Sequence, residues 1–177
     1  MSVAHESRAQ TAGEQEMKAR LADRFEACLA RARLFHAELP RPGLWFDLRG
    51  RSAGQAHYGR GGLRFNMILY REQPETFLAE VVPHEMAHWF VHHTTCRRVR
   101  PHGPEWQRAM IELYGLPPRV THRFDTRNAS PAPYQYRCGC RIHHFTRRRH
   151  LNARRGSRYR CRHCGATLDY RGQAPGA

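Results

Sequence analysis

Lysine is almost missing from this chain. Lys18 stands alone against arginine among the 30 basic residues of 177. Acids are also scarce, 15 in all, which leaves a formal net charge of +15 and a pI near 10.7. A genome base bias would account for arginine over lysine, but not for base over acid. A field of this sign attracts polyanions and holds them through counterion release. Long apolar runs are missing too, and none approaches the roughly 18–20 residues of a membrane span. The opening residues Met1-Ser2-Val3-Ala4-His5-Glu6 lack the basic-then-apolar pattern of a secretory signal. The expected location is therefore the cytoplasm, including the nucleoid if the charge serves DNA, and the expected state is a monomer. At 40% hydrophobic the chain can bury a modest core, and its length suits one domain with a small appendage.

What is present begins with Val82-Pro83-His84-Glu85-Met86-Ala87-His88-Trp89. It contains H-E-x-x-H. On a helix, residues i and i+4 are one turn apart, roughly 6 Å along the axis, so both imidazoles project from one face. Two neutral imidazoles facing one point make half of a tetrahedral zinc site. Glu85 lies close enough to take a proton from a metal-activated water without being a ligand. The motif is short and the chain holds 13 His, so a helix with two surface histidines is the bland alternative. The apolar neighbours, Val81-Val82 before and Trp89-Phe90-Val91 after, argue against it, because unpartnered polar groups are costly there. Pro83 implies either a kink or a helix that starts afresh at that point.

The third ligand must come from elsewhere. His92 lies about 12 Å along the axis from His84, too far for zinc–nitrogen bonds of about 2 Å. His92 and His93 read as exposed residues at the helix end. The metzincin spacing fails, since Val91 and Thr94 stand where Gly and His would be needed. His102, just before a helix opened by Pro104 and closed by Gly115, is the preferred candidate. Glu105 and His122 are its rivals, and Glu105 also suits the helix dipole as a first-turn acid.

Around this motif, residues 1–13 read as a disordered tail. Met17, Leu21, Phe25, Leu29, Ala32 and Phe35 follow helical spacing from about Glu14 to Leu39, an amphipathic helix expected to pack on its own domain. The segments 44–48, 55–58 and 63–67 read as three short strands with a glycine-rich turn at 59–62, a small antiparallel sheet. An edge strand there could hold an extended peptide by main-chain pairing. A helix is expected to start near Pro74 and lead into the metal motif.

Six cysteines complete the inventory, and four of them pair near the C-terminus as Cys138-x-Cys140 and Cys161-x-x-Cys164, with 20 residues between the pairs. Four thiolates in two pairs fit a structural zinc site, and metal binding would supply folding free energy to so short a segment. Two disulfides are the alternative, disfavoured without an export signal. His143, His144 and His163 are possible competitors as ligands. Cys28 and Cys96 read as ordinary thiols. Ser130-Pro131-Ala132-Pro133 reads as a linker, which sets domains at 14–130 and 131–177. From Arg137 to Arg171 inclusive there are eleven arginines and one acid, Asp169. With Tyr136, Phe145, Tyr159 and Tyr170 interleaved, the pattern suits phosphate contact and base stacking. Arg147, Arg148, Arg149, Arg154, Arg155 and Arg158 are the candidate nucleic-acid contacts, and a merely solvated basic face is the alternative.

His84-Glu85-x-x-His88 followed by His102-Gly103-x-x-Trp106 resembles the SprT family of zinc metallopeptidase-like proteins, the wider group of Spartan, which degrades proteins crosslinked to DNA. The resemblance continues through Gly115-Leu116-Pro117, Thr121-His122, Tyr136-Arg137-Cys138-x-Cys140 and Tyr159-Arg160-Cys161-x-x-Cys164-Gly165, covering roughly 34–170. It implies an α+β fold with a zincin-like helical core, a small antiparallel sheet and a C-terminal zinc-ribbon-like module. It also implies zinc on His84, His88 and His102, with Glu85 catalytic. Two Zn2+ ions are then expected, one catalytic and one structural. The expected function is zinc-dependent hydrolysis of proteins bound or crosslinked to DNA, single- or double-stranded. The rivals are a nucleic-acid-binding regulator with a structural or weakly active core, and a hydrolase of non-peptide substrates.

Overall fold

In the computed structural model, residues 2–121 and 124–174 are described, with side chains from residue 12 onward. The chain divides into two compact units, Met1–Phe124 and Asp125–Ala177. The division falls a few residues before the Ser-Pro-Ala-Pro stretch read as a linker. Among the described residues no helix is long and apolar enough to cross a membrane.

The first unit opens with α1 (Ser2–Arg33). Its first turns take in residues 2–13, where the sequence predicts a tail, and the side chains of 1–11 lie outside the described residues. The apolar stripe of α1 is buried at Leu21, Phe25, Cys28, Leu29 and Ala32. Its polar faces are tied to the same unit, with Arg20 paired to Glu75 and Arg24 Nε donating to the Leu78 carbonyl at 3.1 Å. Arg31 Nε donates likewise to the Leu113 carbonyl at 3.0 Å. Phe35 departs from the expected stripe and is 51% exposed, because the helix ends at Arg33 and the next turn no longer follows its axis.

Three short strands follow: β1 (Gly43–Trp45), β2 (Gly54–His57) and β3 (Gly62–Phe65). Their order is β1-β3-β2. β2 and β3 form the expected antiparallel hairpin, turned by a 3-10 segment at Tyr58–Arg60 and by Gly61 at φ 77°. β1 pairs parallel to β3, so the sheet is mixed and not antiparallel as expected. The reason is the long connection over 46–53, which carries the chain past β3's place and lets the hairpin fold back between. Asp47 in that connection accepts from Arg64 at 2.8 Å and Arg60 at 2.5 Å, and the Arg60 guanidinium lies 4.3 Å over the Trp45 ring.

The third strand ends earlier than expected. Asn66, fully buried, caps α2 (Met67–Glu72) by accepting from the Ile68 N–H at 3.1 Å. Its amide also donates to the Gly50 and Ser52 carbonyls at 2.9 and 3.2 Å, which pins the approach to β2. Met67 therefore belongs to a helix, as the side-chain cap satisfies the first free backbone donor.

α3 (Pro74–Thr76) starts with proline in its first turn and runs into a π-helical turn at Phe77–Val81, then α4 (Val82–Thr94). The π turn resolves the difficulty at Pro83. In an unbroken α-helix the proline ring would press on the carbonyl of Ala79 and no N–H would bond to it. The wider turn absorbs that strain immediately before the metal motif. α5 (Pro104–Tyr114) is closed by Gly115 in the left-handed region, as its sequence predicts.

In the second unit, β4 (Tyr134–Arg137), β5 (Ile142–Phe145) and β6 (Asp169–Gln173) form an antiparallel sheet in the order β5-β4-β6. Tyr136, Cys138, Phe145, Cys161 and Leu168 make a small core. A helix not expected from the sequence, α6 (Arg147–Arg154), is capped by Thr146.

Candidate metal centres

His84 and His88 both lie in the α-helical span of α4, after the π turn. The Nε2 atoms of His84 and His88 stand 3.2 Å apart. His102, in the turn before α5, brings its Nε2 to 3.1 Å from His88 and 3.2 Å from His84. Three ring nitrogens meeting in a triangle cannot all be hydrogen-bonded to each other, because each has one in-plane direction for a proton or a lone pair. The arrangement fits a cation. Nitrogens about 2.0–2.1 Å from one ion at tetrahedral angles lie about 3.3 Å apart. Burial, then the neighbouring His84 and His102, holds the His88 pKa down to about 3, so its imidazole is neutral and able to ligate at pH 7. Burial also lowers the pKa of His102.

Trp106 forms the floor. It is fully buried, and its ring lies 4.7 Å from the rings of both His84 and His102 and 5.4 Å from that of His88. Its indole N–H donates to the His84 carbonyl at 3.3 Å. The sequence shows Trp106 on a helical face but not that all three imidazoles rest on it. Glu105, the rival ligand, instead accepts from Arg97 at 2.5 Å in the first turn of α5. His122 lies outside the described residues. His92 and His93 are exposed beyond the triad, and His92 stacks on Tyr58 at 4.0 Å.

Glu85 is buried, 7% exposed, and its side chain packs against Gly54 of β2. Burial pushes its carboxyl up to about 8, while a hydrogen bond from the Ala56 backbone N–H acts in the opposite direction. A cation at the three nitrogens would favour the ionised form further.

All six cysteines of the chain are free thiols. In the second unit, Cys138, Cys140, Cys161 and Cys164 gather with their sulfurs within 4.8 Å of one another. Two tight turns present them. The Cys138 N–H donates to the Arg141 carbonyl at 3.2 Å, and the Gly165 N–H, at φ 72°, donates to the Cys161 carbonyl at 2.9 Å. The Cys138–Cys140 and Cys140–Cys161 sulfur distances are 3.3 and 3.7 Å. Disulfide sulfurs would be about 2.0 Å apart. Sulfurs around one zinc at about 2.3 Å are about 3.8 Å apart, so the group fits an ion. His143 Nε2 lies 3.4 Å from the Cys138 sulfur, beside the four-sulfur group, while His144 and His163 are exposed.

The six arginines singled out are all exposed but not alike. Arg149 lies 3.9 Å over the Phe145 ring and 4.9 Å over that of Tyr159, so its guanidinium packs within the module. Arg154 and Arg158 line a cavity of about 320 Å³ together with Tyr136, Tyr159 and Tyr170. Among the described residues none of Arg147, Arg148, Arg154, Arg155 and Arg158 pairs with a carboxylate.

An α+β chain with one group of three imidazoles and one of four thiols is, by class, a candidate metalloprotein with donor sets suited to zinc. It belongs to the SprT-like family, whose sequence model matches residues 25–122. It is 44% identical to Protein SprT of Pseudomonas aeruginosa over 154 residues, 85% of this chain and 93% of the relative. Against Protein SprT of Shewanella oneidensis it is 43% identical over 154 residues, 86% of this chain and 98% of the relative. Protein SprT of Pseudomonas putida is 42% identical over 156 residues, 86% of this chain and 95% of the relative. No solved structure gives a significant match.

Proposed function

We propose that this SprT-type chain is a zinc-dependent metalloendopeptidase with a zincin-like core, acting on proteins bound or crosslinked to DNA. The observation that carries the reading is the triangle of Nε2 atoms at 3.1–3.2 Å with a buried carboxylate one residue along from the first ligand. His84, His88 and His102 would hold the ion. A zinc ion there would supply Lewis-acid chemistry, polarising a carbonyl and making water acidic near pH 7. The chain's own residues do the rest. Glu85 accepts the proton of the attacking water and returns it to the departing amine. Trp106 keeps the imidazoles from turning. β2, an edge strand beside α4, offers main-chain groups to an extended peptide.

The second unit would hold a structural zinc on Cys138, Cys140, Cys161 and Cys164. Its unpaired arginines contact the phosphate backbone, with tyrosine faces available for stacking, so affinity follows charge and salt rather than base sequence. A tether of this kind raises the local concentration of the peptidase near DNA-bound proteins.

The test compares wild type with Glu85→Gln on a DNA-bound protein substrate, with and without DNA. Cleavage by wild type alone, faster with DNA, is the expected result. Equal cleavage by both proteins removes the peptidase, and cleavage indifferent to DNA removes the tether. Metal analysis is expected to give about two zinc ions per chain.

A further inference from the structure

β2 is paired to β3 along one side only, and it touches α4 at Glu85. Gly54 begins this strand. A Cβ placed on it would stand 2.5 Å from Glu85 Cγ, 2.7 Å from its Oε1 and 2.9 Å from its Cδ. Ordinary non-bonded carbon contacts are about 3.5–4.0 Å, so a methyl group must drive the carboxylate about 1 Å aside. Gly54 is not among the glycines with positive φ, so alanine suits its backbone. The glycine is required for its missing side chain, not for its conformational freedom.

The strand cannot retreat to make room. Ala53 is 2% exposed and its carbonyl accepts from the Asn66 N–H at 2.9 Å. Gly54 itself is in register with the fully buried Phe65. Two residues on, the Ala56 N–H holds the Glu85 carboxylate.

We propose that Gly54 and Ala56 are positioning residues for Glu85. The bare Cα of Gly54 is the seat on which the glutamate stem lies, and the Ala56 amide sets the direction of its carboxylate. A general base works only within hydrogen-bond reach of its proton, and a misplacement of about 1 Å can cost about a hundredfold in rate. The catalytic consequence rests on the peptidase reading, whereas the packing does not.

The test is a double-mutant cycle on the zinc-loaded full chain, using wild type, Gly54→Ala, Glu85→Ala and the double variant in urea denaturation. Gly54→Ala is expected to lower the folding constant at least about tenfold in wild type, and to leave it within about twofold once residue 85 has no side chain to displace. Equal losses in both backgrounds overturn the proposal. If Gly54→Ala does not fold, the double variant must, and failure of both is equally fatal. In the cleavage assay Gly54→Ala should reduce kcat about tenfold to a hundredfold with KM and zinc content unchanged, and should cost nothing further beside Glu85→Gln. Full activity in Gly54→Ala overturns the positioning role. If wild type itself cleaves nothing, the peptidase reading fails and the urea cycle alone decides the seat.

Discussion

The indole of Trp106 stands edge-on to the imidazole of His84, with ring centroids 4.7 Å apart and its N–H donating to the His84 carbonyl. One side chain of α5 thus supports a candidate ligand on α4 twice, by ring packing and through the backbone. Trp106→Ala should therefore do two things. It should destabilise the first unit by about 3–5 kcal/mol, the usual cost of deleting a buried large aromatic. It should also raise metal loss, because three rings lose their common support. Trp106→Phe, which keeps one aromatic ring and loses the pyrrole ring with its N–H, should fall between. Urea melts paired with metal analysis check both, and a variant that loses stability with metal retention unchanged would show that Trp106 is core only.

The cysteines allow a test that needs no substrate. Cys28 is 1% exposed, and burial pushes its thiol up to about 11. At pH 8 about one thiol in a thousand is then thiolate, the form that reacts. Cys96 is exposed. With zinc bound, a thiol reagent should modify Cys96 quickly and the other five slowly. A chelator should release Cys138, Cys140, Cys161 and Cys164 to the reagent together, with Cys28 reacting only on unfolding. Mass spectrometry counts the labels. Fast modification of the four cysteines before chelation would mean that they hold no metal.

Asp47 ties the connection after β1 to the hairpin through Arg60 and Arg64, and their hydrogen bonds lower its carboxyl to about 2. A depressed acid contributes stability that is fully present above its unfolded value of about 4 and disappears as pH falls towards the folded value. The advantage of wild type over Asp47→Asn should accordingly shrink between about pH 4 and about pH 2 and stay flat above. The site is exposed, so the advantage is small and should weaken in salt. Carboxyl carbon NMR gives the midpoint directly, and a value near 4 would show that the arginines do not hold it.

How far these features could be read beforehand follows from the range of the interactions involved. His84 and His88 are one helical turn apart, and each cysteine pair shares a tight turn, so local spacing sufficed for both groups. His102 was accessible because Gly103 and Pro104 mark where α5 begins. Glu105 could be set aside only once Arg97 was seen to hold it. The parallel pairing of β1 was not legible, since nothing in 43–45 says which neighbour will insert beside it. α2 escaped because Met67 continues the alternation of β3, and the cap at Asn66 overrides that pattern. α6 escaped because a run of arginine without apolar spacing has no face to reveal, although Arg149 finds one against Phe145 and Tyr159. The packing of Gly54 on Glu85 spans two elements distant in sequence, and a glycine before a strand reads equally as a turn.

The arginines of the second unit differ in what their guanidinium groups touch. Arg147 and Arg148 start α6 with exposed guanidinium groups, at the end of a helix where positive charge is unfavourable to the backbone dipole. Arg149 instead lies over two rings of the module. If the module grips a nucleic-acid backbone, replacing Arg147 and Arg148 together with alanine should weaken binding across all sequences. The slope of log K against log salt should flatten by about one for each phosphate no longer neutralised. Zinc retention should not change, and removing positive charge from the first turn should leave α6 at least as stable. Arg149→Ala should behave differently, with little change in salt slope but a looser module, because a stacked guanidinium covers Phe145 as well as carrying charge. Arg154 and Arg158, on the cavity wall beside Tyr170, should combine a change of slope with a weaker grip on single strands if bases stack on the tyrosines there. Fluorescence anisotropy over a salt series separates these outcomes. Uniform small effects from all five arginines would mean a basic face that is only solvated, since a surface that grips a polyanion cannot be indifferent to which of its charges are free to reach it.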